Sequence, residues 1–252
     1  MSSLYAYGCS FTNYKWDTWA DYMGKNFDMY VNHGQPGAGN QYILQKLAGS
    51  HAGGDGDKIT DKDTVAIMWS TTNRYDNFFK GKWDTPGNVF NSHYDESFTK
   101  YIDPVGFEIR DCAFIHSAKC ILELIGCRFV FFSLNEIYPH APYENTINQI
   151  MPSTKEILFK GDYHNRIHDF NTEPSNYEIH AGEDWPTREQ FETENLPDIS
   201  AEIKKEMCST FNVKSFKELI DKKMWRCPDF HPTPAMHLEY LNAVLPDWDT
   251  WS

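Results

Sequence analysis

Short continuous apolar runs alternate along this chain with stretches in which apolar residues return every three or four positions. That alternation predicts strands and helices in turn. "LYAY" reads as a first strand, and Trp16, Trp19, Ala20 and Met23 then recur on one face of a helix over about 16–25. "DMYVN" is a short second strand. Asn40 is placed to cap the helix "QYILQKLA", in which Ile43, Leu44 and Leu47 face inward and which Gly49 ends. "DTVAIMWS" is a third strand, apolar enough to be covered on both faces. A helix over about 110–124, apolar nearly all round, ends at Gly126, and "RFVFFSL" follows as a fourth buried strand.

From about 135 to 205 the pattern dissolves into polar, aromatic and proline-bearing text, read as a long insertion or lid. Regularity returns with "SFKELIDKKMW", a helix capped by Ser215. It continues in "HPTPAMHLEYLNAVL", where Thr233 is the cap, Pro234 the first helical residue, and Met236, Tyr240, Leu241 and Val244 share a side. Strand and helix in alternation predict an α/β fold: a three-layer α/β/α sandwich around a central parallel sheet. The whole chain, 1–252, is expected to be one domain carrying the insertion at 135–205.

Composition narrows this picture. With 40% hydrophobic and 15% aromatic residues, 252 residues can bury a substantial core. No window approaches the ~18 consecutive apolar residues of a membrane span, and "MSSLYAYGCS" lacks the features of a secretory signal, so a soluble, cytoplasmic or similar setting is expected. A net charge of −13 without a basic stripe argues against nucleic acid as a partner. The six cysteines form no CxxC pair, and Cys112, Cys120 and Cys127 lie in or beside "CAFIHSAKCILELIGC", where they read as small buried hydrophobes.

The candidate chemistry sits at the ends of predicted strands. Ligands of parallel sheets bind outside the strand carboxyl ends, and "YGCSFT" places Ser10 at such an end, with Gly8 allowing a sharp turn. A serine needs a base, and the base an orienting acid. "CPDFHPTPAMH" holds both. Asp229 and His231 are two apart, so in an extended segment they project together while Phe230 turns the other way into the core. Pro232 biases His231 toward that conformation.

These residues resemble the SGNH, or GDSL-type, esterases and lipases. "GCSFT" is similar to the family's first block, which makes Ser10 the nucleophile; "NHGQPG" is similar to the second, with Gly37 as a backbone oxyanion donor; "DFHP" is similar to the last, with Asp229 as acid and His231 as base. Two departures stand out. Cys9 occupies the place of an aspartate before the serine, and "WSTTNRYD" has Ser70 where the third block has glycine and Asn73 one residue late. Asn73 is the choice for the side-chain oxyanion donor, with Thr72, Ser70 and Arg74 as alternatives. The resemblance implies a flavodoxin-like sheet and a serine hydrolase acting on a carboxylic ester, most simply a small acyl group on a carbohydrate or similar polar acceptor. Its partner is then a small-molecule or glycan ester. A non-catalytic glycan-binding module or an acyltransferase are the alternatives.

Other patterns carry less. His164 and His168 in "YHNRIH" have the spacing of a helical zinc pair but no third ligand, "GGDGDKITDKD" lacks the positions of an EF-hand, and "GQPGAGN" does not match a dinucleotide loop. No cofactor and no metal are therefore expected. His237 reads as a packing residue of the last helix. Tyr138, Tyr143, Tyr163, Tyr177 and Trp185 either pack the insertion or face a sugar ring.

Overall fold

A computed structural model describes residues 2–54, 58–90, 94–159, 175–211, 213–227 and 229–251. The chain divides into two compact units, Met1–Gly161 with Pro232–Ser252, and Asp162–His231.

The first unit is built on a parallel sheet. Strands β1 (Ser3–Tyr7), β2 (Met29–Asn32), β3 (Thr64–Trp69) and β6 (Arg128–Ser133) lie in the order β2-β1-β3-β6. All three pairings are parallel. This is the doubly wound, flavodoxin-like order, reversing direction between β1 and β3. Every residue of β1 and β3 is buried, as central strands covered on both faces require.

Helices α1 (Trp19–Gly24), α2 (Asn40–His51) and α4 (Pro104–Ile125) are the crossovers, with α3 (Glu96–Thr99) preceding the last of them. Because such crossovers are right-handed, the turn toward β2 and the turns toward β3 and β6 place α1 on one face and α2 with α4 on the other. Helices α5 (Glu144–Ile147) and α6 (Thr154–Phe159) follow the sheet, and α11 (Pro234–Val244) closes the chain against α1 and α6. Trp19 and Tyr240 both meet Phe132 edge-on, at 4.9 and 5.9 Å between ring centroids. Two further strands, β4 (Asn77–Phe79) and β5 (Lys82–Asp84), form an antiparallel hairpin after β3.

The second unit carries short helices α7 (Asn176–His180), α8 (Arg188–Glu192), α9 (Ala201–Thr210) and α10 (Phe216–Asp221). Its core is Tyr177, Trp185, Phe191, Met207, Phe211, Leu219 and Trp225. Tyr177 and Trp185 are thus packing residues of this unit. Ser175, Thr187, Ser200 and Ser215 each accept from a backbone N–H three residues on, so every helix has its own cap. Local caps, two of them capping boxes at Ser175 and Thr187, rather than long periodic faces mark these short helices, which is why 135–205 reads as irregular.

Several local expectations shift. Helix α1 starts at Trp19 behind a Thr18–Asp21 capping box, leaving Trp16 outside it. Helix α2 runs through Gly49 to His51, and its cap position is Gly39, not Asn40. Helix α4 begins six residues earlier than its apolar pattern, at Pro104 behind Asp103, and ends at Gly126 in the left-handed conformation. All six thiols are free, and Cys120 is exposed rather than buried, because it falls on the outer face of α4. His164, His168 and Tyr163 lie outside the described residues. Among the described residues no helix is long and apolar enough to cross a membrane.

Candidate active site

Parallel strands end together, so the loops after β1, β2 and β3 leave the sheet at one edge, and they carry Ser10, Gly37 and Asn73. The loop after β1 turns tightly. The Cys9 carbonyl accepts from Thr12 N–H at 2.9 Å and Asn13 N–H at 3.2 Å, placing Ser10 inside the turn. Gly8 is required by space. A Cβ there would stand 2.0 Å from Thr12 Oγ1 and 3.1 Å from the Met68 carbonyl of β3. Cys9 is fully buried, and Ser10 beside it is buried with 7% of its surface exposed.

The loop after β2 is bolted to this turn. Asn32 Nδ2 donates to the Thr12 carbonyl at 2.8 Å, Asn13 Nδ2 donates to the Gly34 carbonyl at 2.9 Å, and Gln35 N–H donates to the Gly8 carbonyl at 3.0 Å. Gly37 has φ +77, and a Cβ on it would lie 2.0 Å from the Thr85 carbonyl, so conformation and space both demand glycine. Among the described residues no acceptor holds its N–H.

The loop after β3 is held by buried charge. Asn40, the first residue of α2, does not cap its own helix. Its Oδ1 accepts from Ser70 N–H at 2.7 Å, and its Nδ2 donates to Asp111 Oδ2 at 2.7 Å. The capping falls to Asp76, whose carboxylate accepts from Gly39 N–H at 2.8 Å and Tyr42 N–H at 2.9 Å. Arg110 donates through Nε to Asp111 Oδ1 at 2.7 Å and through Nη2 to the Arg74 carbonyl at 3.0 Å, with its guanidinium 4.0 Å from the Phe107 ring centroid. Burial pushes the Asp111 carboxyl up to about 6, against the opposing pull of Arg110 and Asn40, and also raises Asp76.

This clamp narrows the choice of oxyanion donor. Ser70 is fully buried with its N–H and carbonyl both taken by Asn40, and Arg74 Nη1 donates to the Ala38 carbonyl at 2.9 Å. Asn73 is partly exposed. Its Oδ1 accepts from Thr71 Oγ1 at 2.6 Å, which orients the amide, and among the described residues nothing accepts from its Nδ2. Asn40, Asp76, Arg110 and Asp111 were missed in the sequence. An Arg-Asp pair inside an otherwise apolar helix was the available signal, since a buried charge demands partners.

Asp229 and His231 close the second unit. Asp229 Oδ1 accepts from both the His231 backbone N–H and ring Nδ1, each at 2.7 Å. The Asp229 side chain is 2% exposed and that of His231 25%. The pair is therefore assembled by an Asx-type turn rather than by extended alternation. Phe230 accordingly does not turn into a core; it is 42% exposed. With Nδ1–H directed at the carboxylate, Nε2 is left as the basic nitrogen. Beyond the unit boundary the Pro232 carbonyl accepts from the Trp16 indole N–H at 3.0 Å, six residues after Ser10. His237 is buried in α11 and meets Phe11 edge-on at 6.3 Å, a packing role.

No protein-family model matches this chain, and no curated protein sequence matches it. Two solved structures from Geobacillus stearothermophilus are similar in outline. One, a mutant of the acetyl-xylooligosaccharide esterase Axe2, is 13% identical with a TM-score of 0.38; the other, a catalytic mutant of Axe2 described as an acetylxylan esterase, is 14% identical with a TM-score of 0.39. Each likeness covers 98% of this chain and 93% of the other. At that level the likeness carries no chemical argument, which rests on the side chains above.

Proposed function

We propose that this protein is a serine hydrolase of the SGNH type, cleaving a carboxylic ester, with a small acyl group on a carbohydrate or similar polar acceptor as substrate. Ser10 is the nucleophile, His231 the base and Asp229 the orienting acid. The Asp229–His231 pair carries the reading: a nearly buried carboxylate fixes one ring nitrogen and leaves the other for proton transfer.

His231 Nε2 takes the Ser10 proton as Oγ bonds to the ester carbon, and the carbonyl electron pair moves to oxygen. The N–H groups of Ser10 and Gly37 and the Asn73 amide receive that oxyanion. Collapse expels the alcohol, which leaves with the proton from the imidazolium. Water then repeats the sequence on the acyl-serine. The Thr71 contact that orients Asn73 and the unclaimed Gly37 N–H support these two donors.

The test is fluorophosphonate labelling and p-nitrophenyl acetate hydrolysis by the parent protein beside Ser10→Ala. Labelling and turnover present in the parent and lost in the variant are expected. An unlabelled parent with no turnover would overturn the reading.

A further inference from the structure

The hairpin β4–β5 takes no part in the chemistry above, yet it is built with care. Lys80 at φ 51 and Gly81 at φ 81 form the left-handed pair that a two-residue hairpin turn requires. The register sets Phe78 opposite Trp83 and Phe79 opposite Lys82, so Phe78 and Trp83 share one face. That face looks toward α2: Trp83 meets Tyr42 edge-on at 5.7 Å and Phe78 at 5.4 Å. Between hairpin and helix lies an open groove of about 460 Å³ lined by Gln41, Gln45, Lys46, Gly49, Phe78 and Trp83. Phe78 keeps 63% of its surface in water.

The lining identifies the occupant. Among the described residues that form it, none is aliphatic, which a groove for another protein's apolar side chains would need. It offers aromatic rings and two primary amides one helical turn apart. An aromatic face is electron-rich and attracts polarised C–H groups, while a glutamine amide both donates and accepts. A pyranose ring has that character: C–H groups on its faces and hydroxyls around its rim. Rings and amides make up most of the lining, with Lys46 its one charged residue among those described, so recognition runs through hydroxyls and C–H faces, which a neutral ring supplies.

The groove is also tied to the proposed catalytic loops. The hairpin leaves the loop bearing Asn73 at Asn77. Past β5, Thr85 Oγ1 donates to the Pro36 carbonyl at 2.8 Å, and the Thr85 carbonyl is the group that excludes a side chain at Gly37. We infer that the groove between α2 and the hairpin is a subsite for a neutral sugar ring on the acceptor side of the ester, an inference that rests on the hydrolase reading above.

The experiment is calorimetric titration of Ser10→Ala protein, which binds without turnover, with cellohexaose, xylohexaose and chitohexaose. At least one should bind, with affinity reduced about tenfold or more by adding Trp83→Ala and about threefold by adding Gln45→Ala. In the Ser10 background the same two substitutions should leave p-nitrophenyl acetate turnover and fluorophosphonate labelling unchanged. Phe78→Ala repeats the test at an exposed side chain that folding does not need. Absence of binding by all three sugars, or binding indifferent to Trp83→Ala and Phe78→Ala, would overturn the subsite. So would a fall in ester turnover matching the fall in sugar affinity, since the hairpin would then act by propping the loops. Failure of Ser10 to label would sink the hydrolase reading alone, because the titration does not depend on it.

Discussion

The loop after β3 and the loop carrying His231 are held by opposite strategies. Residues 70–76 are fixed by partners 30 to 38 positions away: Asn40 on Ser70, Asp76 on Gly39, and Arg110 on the carbonyls of Thr72 and Arg74. His231 is fixed by one carboxylate two residues before it, through two hydrogen bonds to the same oxygen. The first arrangement needs a finished fold to exist. The second needs little more than its own tripeptide and the burial of Asp229. A long-range clamp gives rigidity, whereas a local turn delivers the proposed base and acid preassembled to wherever the chain places them.

Substitutions at the local pair should show the largest effects, and on activity alone. His231→Ala should lower kcat for p-nitrophenyl acetate by roughly 10⁴-fold or more, and Asp229→Asn by a comparable factor, with little change in melting temperature. Residual activity within tenfold of the parent would remove His231 from the mechanism.

The clamp should answer in stability instead. Asp111→Ala strands the Asn40 amide and the Arg110 guanidinium, so urea unfolding should lose about 3 kcal/mol or more. Asp111→Asn keeps an oxygen acceptor and removes the buried charge, so it should cost far less. An equal loss from both would mean that the carboxylate charge facing Arg110, rather than packing or the oxygen acceptor, matters at this site.

The same carboxyl predicts a pH dependence. Its folded value is raised from 3.8 to about 6 by burial, so the fold favours the protonated form. The stability this provides is complete below about pH 3.8 and is lost as pH rises through about 6, a change of roughly 3 kcal/mol. Unfolding free energies of the parent minus those of Asp111→Asn should trace that decline between pH 4 and 6. A flat difference would show that Arg110 keeps Asp111 ionised throughout.

Smaller effects are expected at the proposed oxyanion donors. Asn73→Ala should reduce kcat about a hundredfold without weakening the fold. Thr71→Val releases the Asn73 amide from its orienting hydroxyl and should cost about 1 kcal/mol of transition-state stabilisation, a several-fold fall in kcat with KM unchanged. If Thr71→Val matched Asn73→Ala, Thr71 would itself be the donor.

These two loops also mark how far the chain could be read before it was folded. Strands β1 and β3 were legible because a strand covered on both faces must be nearly continuously apolar, and beyond their first residues, Ser3 and Thr64, both are. Ser215 and Thr233 were legible as caps because a cap is a contact over three residues. Asn40 was read with the same rule and fell on different partners, since a cap position and a first helical position look alike until Ser70 and Asp111 are in place. The turn of 80–81 passed unread: Lys-Gly signals a tight hairpin only when its flanking aromatic residues are known to pair.

The sequence by itself determined what depends on neighbours along the chain: strand and helix alternation, the glycine-serine turn after β1, and an aspartate placed to hold a histidine two residues on. Only the tertiary structure decided which side chains are buried with which. Asp76 capping a helix that begins 36 residues earlier, and Asp111 shared between Asn40 and Arg110, follow from the β2-β1-β3-β6 order of the sheet. That order sets β1 between β2 and β3, so the loop after β2 crosses the end of β1 on its way to α2, and α2 then lies against α4. Buried polar groups take whatever partners are within about 3 Å, and the folded path of the chain, not its sequence spacing, sets which ones those are.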